Sequence, residues 1–144
     1  MQAALESGSS GSLKGAGLNG QALMKILIVD DSESVRRTIR AFVSDLAEDL
    51  CEAADGVEAI AACRDRRPDW VLMDIQMGDM NGITATRHLK AAFPETRVMI
   101  VTSFDDPHLR EAATQAGASA YVTKDDLFEV RRILVESLTR GNVA

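Results

Sequence analysis

The chain has 144 residues, 22 acidic and 16 basic side chains, a formal net charge of −6, 46% hydrophobic residues and six aromatics. Its length favours a single core, its hydrophobic fraction excludes global disorder and a collagen-like fibre, and its acid excess argues against a chain that coats nucleic acid. No apolar run approaches the ~20 residues of a membrane-spanning helix, and Cys51 and Cys63 are too few for a disulfide framework and too far apart for a CxxC clip, so a soluble cytoplasmic protein is expected.

Residues 1–23 hold five of the ten glycines (Gly8, Gly11, Gly15, Gly17, Gly20) beside Ser7, Ser9, Ser10 and Ser12. Such a stretch buries too little apolar surface to offset its ordering entropy, so it reads as a disordered, vector-derived tag and linker, with the domain spanning 24–144. Gly15-Ala-Gly17-Leu-Asn-Gly20 fits the dinucleotide-binding GxGxxG string. That motif needs a strand before it and a helix after it, and neither flank qualifies.

From Lys25 short apolar runs alternate with segments of helical spacing. The run Ile26–Val29 leads to Ser32, an N-cap, and to a helix with Val35, Ile39, Phe42, Val43 and Leu46 on one face and Arg36, Arg37 and Arg40 outside. Leu50–Ala54 precedes a helix carrying Ala59, Ile60 and Cys63 that ends near Arg67-Pro68. Trp70–Met73 precedes a helix from Gly82 through Ile83, Thr86 and Leu89 to a stop at Pro94. Val98–Val101 precedes a helix that starts at Asp106-Pro107 and ends at Gly117. Ala120–Val122 precedes a helix with Leu127, Val130, Ile133, Leu134 and Leu138 that stops at Gly141.

Five largely non-alternating strands, each followed by a helix, predict a flavodoxin-like, doubly wound (βα)5 domain of the α/β class. Its five-stranded parallel sheet has the usual order 2-1-3-4-5, with helices on both faces. The working site of such a sheet lies at the carboxyl ends of the strands, at the order reversal between strands 1 and 3. Those ends run into Asp30-Asp31, Asp74, Thr102-Ser103 and Thr123-Lys124. Three carboxylates in one crevice repel each other and favour a hard divalent cation, and Mg2+ suits carboxylates, water and phosphate oxygens.

The set suits phosphoryl transfer to a carboxylate. Asp74 is placed to attack phosphorus as the nucleophile, and Mg2+ held by Asp31 and Asp74, with Asp30 through water, would offset the incoming charge. Lys124 supplies a fixed positive charge and Thr102 a hydroxyl for the phosphoryl oxygens. The product is an acyl phosphate, a labile mark that suits a switch. Taken singly, Asp30-Asp31 would be a helix-capping turn, Lys124 a solvated lysine and Thr102 a β-branched strand residue; together they satisfy one site.

Other features read as structure. Cys51 and Cys63 are small buried hydrophobes, and His88 and His108 lie on helix exteriors without partners at ligand spacing. Arg64, Arg66 and Arg67 are the solvated end of a helix, and Trp70 covers the start of the third strand. A flavin carrier would need a hydroxyl- and glycine-rich loop where Asp30-Asp31 stand. A haloacid-dehalogenase-like phosphatase would place its nucleophile after strand 1 with a second Asp two residues on, where Ser32 stands. No GxxxxGK[ST] loop exists.

The strings Lys25-ILIVDD-Ser32, Val71-LMDIQM-Gly78 with Asn81-Gly82, Val101-Thr-Ser103 and Ala120-YVTK-Asp125 resemble the receiver domain of bacterial two-component response regulators. The resemblance implies that Asp74 is the phosphoacceptor, that Asp30 and Asp31 bind Mg2+ with Asp74 and the backbone carbonyl of Gln76, and that Thr102 and Lys124 are the switch hydroxyl and the lysine of the motif. It implies that Tyr121 is the aromatic that changes rotamer, and that the surface of helix 4, strand 5 and helix 5 is the readout. The phosphoryl group would come from a sensor histidine kinase or a histidine phosphotransfer protein and the signal would pass to a downstream effector protein. The domain itself would bind neither nucleic acid nor membrane, and would be a monomer or a phosphorylation-dependent dimer. It would be no enzyme beyond self-catalysed phosphotransfer and autodephosphorylation. Two departures stand out: Gly78 replaces the usual Pro after Met77, which predicts a looser loop, and Asp125 replaces the Pro after Lys124, as in receivers of LuxR-type regulators. The short tail after Arg140 predicts a stand-alone receiver, with the isolated receiver of a LuxR-type transcription regulator as the alternative.

Overall fold

The runs Ile26–Val29, Trp70–Met73 and Val98–Val101 are buried on both faces and form the centre of one parallel sheet. The computed structural model describes residues 23–78 and 80–143; the tag expected over 1–23, with its GxGxxG string, lies outside the described residues except for Leu23. The elements run β1 (Met24–Val29), α1 (Glu33–Val43), a 3-10 turn (Ser44–Leu46), β2 (Ala47–Ala53), α2 (Gly56–Arg66), β3 (Trp70–Met73), α3 (Gly82–Ala92), β4 (Arg97–Thr102), α4 (Pro107–Ala116), β5 (Ala120–Thr123) and α5 (Leu127–Val143). The strand order is β2-β1-β3-β4-β5, with every pairing parallel. Among the described residues no helix is long and apolar enough to cross a membrane.

Alternate strand residues feed two cores. Leu27, Val29, Val71, Met73, Val98 and Ile100 pack with Ala59, Cys63, Ile83, Leu89 and Ala113 of α2, α3 and α4. Ile26, Ile28, Trp70, Leu72, Met99 and Val122 pack with Ile39, Val43, Val130 and Leu134 of α1 and α5. Because both faces are covered, period-2 alternation disappears from the sequence of the central strands.

Local signals act where the sequence places them. Ser32 accepts the Val35 N–H at 3.3 Å to cap α1, and Asp106 accepts the His108 and Leu109 N–H groups to cap α4 ahead of Pro107. Gly117 ends α4 at φ 108°, a left-handed conformation that glycine adopts without a Cβ penalty. Arg67 closes α2 at φ 51°, just before Pro68.

Two element boundaries and one burial depart most from the sequence expectation. β2 begins at Ala47 and ends at Ala53, because its polar lead Glu48-Asp49 belongs to an edge strand that an apolar-run criterion discards. α5 continues to Val143 and is not stopped at Gly141. Cys51, on the edge strand, is only partly buried, whereas Cys63 is fully buried.

Candidate functional site

Parallel pairing brings the carboxyl ends of β1 and β3 side by side, with Val29 opposite Met73. The next residue of each strand is an aspartate. The Asp74 N–H donates to Val29 O at 2.9 Å and the Asp30 N–H to Ala53 O at 3.1 Å, so both aspartates continue the strand geometry. Asp30 is 1% exposed and Asp74 5%, while Asp31 is exposed. One carboxylate oxygen from each of the three lies within 4.8 Å of the others.

Lys124, just past β5, reaches in from the far side. Its Nζ stands 2.8 Å from Asp30 Oδ2 and 3.4 Å from Asp74 Oδ1. The first contact is an ion pair without hydrogen-bond alignment, and buried Asp30 Oδ2 accepts no hydrogen bond. Asp30 Oδ1 is used by the Ser32 N–H at 2.9 Å, and Asp74 Oδ1 by the Ile75 N–H at 2.9 Å.

One cation against three carboxylates leaves an excess of negative charge. Burial, reinforced by Asp30, pushes the Asp74 carboxyl above the ordinary carboxylate range against the pull of Lys124. Burial alone would lower the Lys124 ammonium, but Asp30 and Asp74 outweigh it and raise the group above the usual lysine value. An unaligned buried oxygen, a surplus of carboxylates and an all-oxygen donor set fit a hard divalent cation such as Mg2+. Asp30, Asp31, Asp74, Gln76 and Lys124 all line one cleft of about 270 Å3.

Thr102 is fully buried as the last residue of β4. Its Oγ1 accepts the Phe104 N–H at 3.3 Å, and its carbonyl accepts the Lys124 N–H at 2.7 Å, which ties the hydroxyl strand to the lysine strand. Tyr121 is directed to the β4–α4 connection instead of the carboxylates. Its hydroxyl donates to Phe104 O at 2.6 Å, and its ring lies under the Arg110 guanidinium at 4.6 Å.

Two residues at the site escaped the sequence reading. Arg36, expected on the outer face of α1, has a side chain only 16% exposed and donates from Nη1 to Asp30 O at 2.6 Å and from Nε to Glu52 Oε1 at 2.8 Å. A helical wheel sees only that arginine is polar. The missing signal was an acidic partner near the end of the neighbouring strand. Gly82, read as the start of a helix and as part of a motif but not as a close approach, lets α3 start against the acidic loop: its N–H donates to Ile75 O at 2.7 Å, and a Cβ there would stand 1.8 Å from Asp74 O. Gly78 has no atom within 4 Å of its Cβ position, so nothing in its surroundings requires glycine.

Comparison with known proteins is consistent with this geometry. The family model described as "Response regulator receiver domain" matches residues 26–135. The transcriptional regulatory protein YhcZ of Bacillus subtilis (strain 168) is 42% identical over 104 residues, which are 71% of this chain and 49% of that protein. The response regulator protein VraR of Staphylococcus aureus (strain NCTC 8325 / PS 47) is 39% identical over 103 residues, 70% of this chain and 49% of that protein. The chain therefore spans about half the length of the curated relatives it matches. A crystal structure of a LuxR-family two-component response regulator from Aurantimonas sp. SI85-9A1 superposes with a TM-score of 0.72 at 32% identity, covering 80% of this chain and 87% of that one.

Proposed function

The chain belongs to the response regulator receiver domain family, and on that premise we propose that it is a phosphorylation switch whose acceptor is Asp74. The observation that carries this reading is Lys124 Nζ set between Asp30 and Asp74 in a cluster of three carboxylates. Asp31, Asp74 and the backbone carbonyl of Gln76 would hold Mg2+, with Asp30 acting through water. When bound, the ion offsets the negative charge of the phosphoryl group.

The Asp74 carboxylate attacks phosphorus in line. An O–P bond forms as the bond from phosphorus to the donor breaks, and the donor departs with its electron pair. For a histidine kinase or phosphotransfer protein the leaving atom is an imidazole nitrogen. Lys124 follows the charge from carboxylate to phosphoryl oxygen. The Thr102 hydroxyl can keep its Phe104 hydrogen bond as acceptor while donating to a second phosphoryl oxygen. Drawing Thr102 inward moves the β4–α4 connection that holds Tyr121, and the surface of α4, β5 and α5 changes its populations. The chain works in the cytoplasm as a switch read by an effector protein. Treatment with acetyl phosphate and Mg2+ followed by hydroxylamine tests the chemistry: an acyl phosphate is stripped, whereas a serine or threonine phosphate survives.

A second reading concerns the output. The 32% identical solved relative is of the LuxR family, and the curated relatives are about twice the matched length. These observations favour a receiver that controls the DNA-binding segment of a LuxR-type transcription regulator over a stand-alone receiver. Reading the coding frame beyond Ala144 for a helix-turn-helix separates the two.

A further inference from the structure

Asp31 is exposed, and no hydrogen bond or ion pair holds its carboxylate among the described residues. Its place beside Asp30 and Asp74 is therefore set by its backbone. Three bonds fix that backbone: Asp30 N–H to Ala53 O at 3.1 Å, Ser32 N–H to Asp30 Oδ1 at 2.9 Å, and Arg36 Nη1 to the Asp30 carbonyl at 2.6 Å. Only the third grips the peptide that joins Asp30 to Asp31. It comes from a side chain that is 84% covered and whose Nε is pinned by Glu52 Oε1 at 2.8 Å. The planar fork of a guanidinium serves a carbonyl and a carboxylate at once, which a lysine ammonium does less well. The other Glu52 oxygen pairs with Arg40 Nη2 at 2.7 Å, and Arg40 makes no bond to Asp30.

We propose that Arg36 is a positioning residue for the divalent cation: braced by Glu52, it holds the Asp30–Asp31 peptide so that the unpartnered Asp31 carboxylate faces the cluster. This rests on the reading of the cluster as a Mg2+ site. Charge and positioning predict opposite signs. Removing a cation near three carboxylates should tighten Mg2+ binding, whereas releasing the Asp31 backbone should weaken it.

The test is a titration of the full chain and of Arg36→Met, Arg36→Lys and Arg40→Met with MgCl2 alone, followed through the backbone amide shifts of residues around Asp31 and Asp74. Circular dichroism confirms folding at the working temperature. Arg36→Met should weaken Mg2+ about tenfold, the lower end of what losing an outer partner of a metal ligand costs. Arg36→Lys should fall between, and Arg40→Met should bind as the parent does. If Arg36→Met does not fold, the comparison of Arg36→Lys with Arg40→Met decides. Unchanged or tighter binding by the Arg36 variants overturns the positioning role and leaves the Mg2+ site standing. Failure of the parent chain to bind Mg2+ overturns both.

Discussion

Lys124 Nζ lies 2.8 Å from Asp30 Oδ2, yet that oxygen, buried and 1% exposed at the residue level, accepts no hydrogen bond. A single lysine is thus the counter-charge for a cluster it only partly satisfies. Lys124→Met should lower the unfolding free energy in chelator, read from the urea midpoint, by about 1–3 kcal/mol, less than for a fully buried pair because the cleft opens to water. Mg2+ should restore most of the loss. Equal midpoints for parent and variant in chelator would remove the lysine from the electrostatics of the site.

The raised carboxyl of Asp74 makes a pH-dependent prediction of definite sign. A carboxyl that holds its proton more tightly folded than unfolded costs stability when it ionises. The cost begins as pH rises past the unfolded value of about 3.9 and is complete above the folded one. Asp74→Asn should therefore stabilise the metal-free chain at neutral pH. The gain should vanish in acid, where both chains carry a neutral side chain. Unfolding curves from pH 3 to 8 in chelator check this, and a gap that shrinks as pH rises would contradict it.

The two glycines flanking the acidic loop should respond in opposite directions. Gly82→Ala drives a Cβ to within 1.8 Å of Asp74 O and 2.9 Å of Met73 Cγ, so α3 or the acidic strand end must shift. A loss of about 1–3 kcal/mol is expected, together with weaker Mg2+ binding. Gly78→Ala meets no atom within 4 Å and has no positive φ to relieve. It should be neutral or stabilising by up to ~1 kcal/mol through the unfolded chain. Thermal melts of the two variants side by side measure the contrast.

The thiols should react in sequence. Burial pushes Cys63 up to about 12, while partly buried Cys51 is raised by burial and by Asp49. Iodoacetamide on the native chain should label Cys51 slowly and Cys63 only after urea is added, as read by peptide mass. Native labelling of Cys63 ahead of Cys51 would mean that the core under α2 opens easily.

The fold was readable because its signals are local. Apolar runs, caps at Ser32 and Asp106 and the glycine at 117 each fix one element, and two-sided burial fixes the class. That Asp30, Asp31, Asp74 and Lys124 meet at one cleft was readable because strand ends of a doubly wound sheet converge. The start of β2 was not, since an edge strand has polar residues where apolarity was sought. Arg36 was not, because the burial of an arginine depends on Glu52, 16 residues away in sequence and adjacent only after β1 and β2 pair. Gly82 was visible as a helix start and a letter in a motif, but the 1.8 Å approach that requires it exists only in three dimensions.

The central claim is that Asp74 accepts a phosphoryl group in a Mg2+-dependent step. Intact-mass measurement after incubation with acetyl phosphate and Mg2+ tests it most directly, with chelator and Asp74→Asn as the two comparisons. The account predicts a single phosphoryl adduct on the parent chain, absent in chelator and absent in Asp74→Asn. No adduct on the parent, or one that persists in Asp74→Asn, would contradict it.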